Sequence, residues 1–306
     1  MKEFFRQIGN LNWIAAILLS LLALAMWVPD FIGESVGGTL PTISTLVLSL
    51  CNGLVLMVVV YYSGVSRTLS GTPVFLYLLL TGSQPIMHTC WKIQIVLLLC
   101  LLALLLVFSV YHRNNAVHES FLCAILLSFA GLLLPDIIIL IPFAWFAFMW
   151  QRAFSSKVWF ASLVGIFTVG LYTTLVWWIG WIDICPPSAL IERDVLTLLP
   201  LNTGAAYLLL AFLGTVFMLT AFYRFRRANS TMQSYVVLNA VPFVIFSILM
   251  FFPLSDFPST FILAAAGYSA LASKVFITQS SVFIGILFLL NIIAWPIVYL
   301  LQLFIF

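Results

Sequence analysis

Charge is the scarcest feature of this chain. Of 306 residues, 12 are Lys or Arg and 9 are Asp or Glu, 7% in all. An ordinary soluble domain carries about 25% charged residues, so no stretch here supplies a separate soluble domain, and residues 1–306 read as a single unit. Several chemistries lack their motifs. There is no Gly-x-x-x-x-Gly-Lys phosphate loop, no His-Glu-x-x-His zinc helix and no Gly-x-Ser-x-Gly nucleophile turn. No Cys-x-x-Cys spacing occurs among the five cysteines. Nothing supports nucleic-acid binding. Ionisable residues are essentially missing from the middle of the apolar runs, where a proton-coupled pump or ion channel keeps some. The short alternating strands of a membrane barrel are missing as well, and no internal repeat or low-complexity linker is present.

What remains is apolar. The hydrophobic fraction is 64% and mean hydropathy is +1.21. The runs are continuous, as in VLLLCLLALLLVF, which fits helices that cross a bilayer with roughly 20 residues each. The expected fold is all-α: a polytopic helical membrane protein of about eleven transmembrane segments, several short and paired, with the N-terminus inside. The runs fall near 11–28, 42–62, 74–89, 93–110, 119–134, 136–151, 158–178, 204–223, 232–252, 260–273 and 280–304. Those at 74–89, 119–134, 136–151 and 260–273 sit at or below the crossing length, and are either thin crossings or half-helices covered by protein. The first run reads as an uncleaved span rather than a signal peptide.

Charges sort under this topology. Ten of the twelve basic residues fall inside, among them Arg152, Lys157, Arg224, Arg226, Arg227 and Lys274; only Lys92 and Arg193 fall outside. Seven acids fall outside and two, Glu3 and Glu119, inside, so the outer side is net −5 and the inner side net +8. The cation-rich side is therefore expected to be the cytoplasmic one.

The acids supply the candidate chemistry. Asp30 and Glu34 stand four apart in the loop 27–41, WVPDFIGESVGGTLP, whose Pro29 and Pro41 are expected to keep either flanking helix from entering it. On one helical turn the two carboxylates would share a face, where one raises the other's proton affinity. Such a pair suits a general base or an oxygen-ligand site for a divalent metal; the plainer reading is a solvated loop. Asp136 follows Pro135 between two short runs, where it either caps the second helix or faces the same outer cavity as Asp30. His88, Lys92 and Arg193 could grip a phosphate, or Lys92 and Trp91 could simply anchor at the interface. Cys90 and Cys185 could lie on one side and pair. Trp177, Trp178 and Trp181 form an aromatic girdle.

The segments LALAMWVPDFIG, RTLSGTPVFLYLLL and SFAGLLLPDIIILIPFAWFAFMWQRAFS resemble a family of polytopic inner-membrane proteins of Bacteroidota that has no assigned activity. The chain also resembles the C-type glycosyltransferases, which take sugars from polyprenyl-phosphate donors. That likeness implies that Asp30 and Glu34 match an acidic motif in the first outer loop and that Asp136 matches an acid between later short helices. The first loop here is shorter than theirs, and a soluble outer domain is missing. Three functions stand open. One is a non-catalytic or accessory membrane subunit that packs on another membrane protein or binds lipid. One is a glycosyltransferase-like enzyme for lipid-linked sugars. One is a flippase or transporter.

Overall fold

The structure, a computed structural model, describes residues 13–29, 39–62, 70–111, 116–179, 201–225, 230–249, 257–278 and 282–305. Among the described residues every regular element is helical and there is no strand. The α-helices are α1 (Trp13–Ala25), α2 (Thr39–Tyr62), α3 (Thr72–Gly82), α4 (Trp91–Ser109), α5 (Val117–Leu133), α6 (Leu140–Trp150), α7 (Ser156–Trp178), α8 (Leu201–Phe225), α9 (Ser230–Leu249), α10 (Phe257–Thr278) and α11 (Val282–Ile305). Short 3-10 turns at Pro85–Thr89 and Pro135–Ile139 precede α4 and α6. Each apolar run in the sequence carries one α-helix, and six of them are long and apolar enough to cross a membrane. This is the architecture of a helical membrane protein.

Proline chemistry sets several helix starts. Pro73 and Pro258 occupy the first turns of α3 and α10, where the missing N–H costs nothing. Pro41, expected to lie before its helix, sits instead in the first turn of α2 for the same reason. The turn after α6 closes with Arg152 at φ 58, the left-handed position that ends many helices. There Arg152 N donates to Met149 O at 3.0 Å and Ala153 N to Phe148 O at 3.0 Å. Phe148 and Ala153 are both buried beside this cap, which fixes a sharp reversal into α7.

Two helices form the centre. Every side chain from Phe75 to Leu80 of α3 is buried, although α3 has only 11 residues. In α10 every side chain from Ser259 to Phe276 is buried except Gly267, which is half-buried. The two pack on each other, with α1, α2 and α11 around α3 and with α8 and α9 against α10. The α4, α5 and α7 layer extends from α2. Helix α7 is the most exposed, and its last turn presents Trp177 and Trp178 to the surroundings as a girdle would.

Lipid tails are as apolar as leucine, so helices in a bilayer adhere mainly by close packing at small residues. Four such contacts are visible. A Cβ on Gly165 of α7 would lie 2.8 Å from Phe121 O of α5, and Ser120 Oγ bridges the same pair by donating to Val158 O at 2.9 Å. A Cβ on Gly82 of α3 would lie 3.0 Å from Ala23 O of α1. Gly214 of α8 and Gly267 of α10 both receive Phe243 of α9.

Side-chain contacts show which helix ends meet. Trp27 stacks on His88, and Gln302 Nε2 donates to Gln84 Oε1 at 3.0 Å, which gathers the ends of α1, α3 and α11 with the start of α4. At the opposite end, Tyr235 of α9 meets Phe108 of α4 and Lys274 of α10. One expected boundary needs correction. The run 260–273 was read as short and closed by Lys274, but α10 is 22 residues long and Lys274 lies inside it, fully buried. Lysine is a good helix former with a long apolar stem, so its charge alone does not end a helix.

Candidate functional site

Asp30, Glu34 and Arg193 lie outside the described residues, as do Cys185 and Trp181. Of the other site candidates, Asp136 is half-buried at the second position of the turn Pro135–Ile139. It does not hold the capping position itself, which Leu134 occupies in extended backbone. Lys92 is exposed in the first turn of α4, with Nζ 5.9 Å from the Trp91 ring centroid. His88 is not exposed beside it. Its ring stacks on buried Trp27 at 3.9 Å between centroids and 18° between planes, and its Nε2 lies 3.2 Å from Gly82 O. Lys92 and Asp136 belong to helix starts that share one end of the bundle. Cys90 is a free thiol whose Sγ donates to Ile86 O at 3.1 Å; partial burial raises its pKa, with a hydrogen bond from Thr89 opposing. Among the described residues no three His, Cys, Asp or Glu side chains gather where they could hold a metal.

One hollow in the described structure is apolar. It lies between α2, α4, α5, α6, α9 and α10 and contains about 620 Å³ of space between atoms, part of it open to the surface. Leu56, Leu101, Cys123, Ala144, Asn239 and Gly267 represent those six helices in its wall. The rest of the lining is apolar or thiol, and no charged side chain reaches it. Asn239 is the exception in kind. It is buried, and its Nδ2 donates to Tyr235 O one turn back at 2.9 Å. Sequence reading missed this hollow because six helices each contribute a few ordinary apolar residues; the asparagine in the run 232–252 was the one available signal.

Neutral amides build two further networks inside the bundle. Asn52 Nδ2 donates to Gln94 Oε1 at 2.8 Å and to Gln94 O at 2.9 Å, and Tyr77 OH donates to the same Oε1 at 2.6 Å. This clamps α2, α3 and α4 together. Asn291 Oδ1 accepts from Tyr268 OH and from Trp295 Nε1, which ties α10 to α11. Inside a low-dielectric bundle, each such bond is worth roughly 1 kcal/mol net, and stranding a partner costs more. Tyr77→Phe is therefore expected to destabilise the purified protein by about 1 kcal/mol. Gln94→Leu, which strands the Tyr77 hydroxyl, is expected to cost about 2 kcal/mol, with the double variant below the sum. Unfolding titrations in mixed detergent micelles measure all three.

No protein-family model, curated protein or solved structure matches this chain.

Proposed function

We propose that this chain is a non-catalytic, multi-pass accessory protein of the bacterial inner membrane that seats the apolar chain of a lipid between its helices. The carrying observation is the hollow between α2, α4, α5, α6, α9 and α10, whose wall is almost wholly apolar and opens in part to the surface. Such a wall offers no acid, base or charge to a reaction, but it offers an alkyl or isoprenoid chain close packing that bulk lipid does not improve on. The proposed orientation puts the end with Arg152, Lys157, Arg224 and Lys274 in the cytoplasm. A second reading is a glycosyltransferase-like enzyme for polyprenyl-phosphate sugars, with Asp30 as base or metal ligand, Glu34 and Asp136 as helpers, and Lys92, His88 and Arg193 toward phosphate. What supports it is that Lys92 and Asp136 belong to one end of the bundle.

A single complementation series separates the two. Ala144→Trp places an indole in the hollow. In a strain lacking the gene, this variant is expected to fail at normal protein levels, while the Asp30→Asn, Glu34→Gln double variant complements fully. Purified Ala144→Trp protein is expected to retain less co-purifying lipid than wild type by native mass spectrometry. The reverse pattern, with filled hollow active and amidated loop dead, replaces the lipid-seating reading with the enzymatic one.

A further inference from the structure

One polar side chain stands in the wall of the apolar hollow, Asn239 of α9. Asn239 uses its Nδ2 on Tyr235 O at 2.9 Å, so its Oδ1 is the strong polar atom it brings to the wall. Among the described residues no donor reaches that oxygen. Asn291 in α11 supplies the internal comparison. It makes the same back-bond, Nδ2 to Leu287 O at 2.8 Å, but its Oδ1 accepts from Tyr268 OH and Trp295 Nε1. Pro242 lies inside the same helix as Asn239 and also stands in the wall of the hollow. Proline has no N–H, so the carbonyl of Leu238, four residues back, loses its helical donor. Leu238 and Asn239 are neighbours near the middle of the helix, remote from water at either end.

We propose that the hollow takes a neutral lipid bearing a hydroxyl group, whose O–H donates to Asn239 Oδ1, while its hydrocarbon packs toward Leu56 and Leu101. This names the ligand class of the lipid-seating reading and rests on it. The chemistry selects against other head groups. A phosphate or carboxylate is acceptor-only when ionised and would face the Asn239 oxygen in a wall with no cation. A plain hydrocarbon would offer Asn239 Oδ1 no donor. A hydroxyl supplies one donor at low desolvation cost.

The test compares two ligands that differ only in the donor. Delipidated wild-type protein in detergent is titrated with a long-chain alcohol and with its methyl ether, followed by displacement of a fluorescent fatty probe. The alcohol is expected to bind about fivefold tighter, the worth of one net hydrogen bond. Asn239→Leu is expected to bind both equally, with the ether's affinity unchanged. Equal affinities in wild type overturn the proposal, whatever the variant does, and so does a preference that survives in a folded Asn239→Leu protein. Failure of both ligands to bind wild type is a different result: it removes the lipid-seating reading and this inference with it.

Discussion

Gly214→Ala is expected to lower the stability of the purified protein by about 3 kcal/mol, the upper part of the usual range for overpacking a well-filled interior. A Cβ at this position of α8 would lie 2.1 Å from Phe243 Cζ, with Cε2 at 2.6 Å and Cε1 at 2.9 Å. The ring cannot retreat freely. It is buried, and on the α10 side its Cβ lies 3.0 Å from where a Gly267 Cβ would be. Phe243 thus acts as a key between two glycines on two helices, and an added methyl must push α8 outward or turn the ring off its rotamer. The companion double variant Gly214→Ala, Phe243→Leu is expected to recover about half of the loss, because the shorter side chain vacates the colliding region. Gly170 of α7 is the control. A Cβ there meets nothing within 4 Å, so Gly170→Ala is expected to be neutral or to gain up to about 1 kcal/mol from helix propensity. Detergent-micelle unfolding separates the outcomes. Equal behaviour of Gly214→Ala and Gly170→Ala would refute the keyed packing.

The helical class was legible because length and apolarity are local properties of each run. Each expected run corresponds to one α-helix, and the prolines at positions 73 and 258 mark the starts of α3 and α10 as first-turn residues. Burial was less legible. Nothing in TPVFLYLLLTG says that α3, with 11 residues, is a central helix while the 23-residue α7 faces outward. Both are apolar all round, and only the partners decide. The candidate site was read from carboxylates, since charge is what stands out in so apolar a chain. That criterion led to Asp30 and Glu34 and passed over Asn52, Gln94, Asn239 and Asn291. Those amides carry the interhelical bonds, and one of them marks the hollow. An amide inside an apolar run is as costly to leave unpaired as it is easy to overlook, so its position was the better guide to internal contacts. His88, a titratable side chain near a loop, is in addition a stacking partner for Trp27, which its position in the sequence does not announce.

Lys274→Glu is expected to be the most damaging single change in the described part of the chain. Lys274 is fully buried in α10, and its Nζ stands 4.1 Å from the centroid of the Tyr235 ring. An aromatic face is electron-rich, and a desolvated ammonium above it gains about 2 kcal/mol or more. Tyr235 is itself held, with its hydroxyl donating to Ala270 O at 3.3 Å and its ring 5.5 Å from Phe108. A carboxylate at 274 would be repelled by the same ring face and would carry a negative charge into a fully buried position. The expected loss is more than about 4 kcal/mol, enough that the protein fails to accumulate. Lys274→Met is expected to accumulate, because the thioether chain keeps the packing of the lysine stem and removes the charge together with its desolvation cost. A cycle of Lys274→Met with Tyr235→Leu is expected to show a coupling of about 1–2 kcal/mol. Zero coupling would mean that the ring and the ammonium are neighbours without interaction. Normal accumulation of Lys274→Glu would mean that position 274 is reached by water, against its complete burial between α9 and α10.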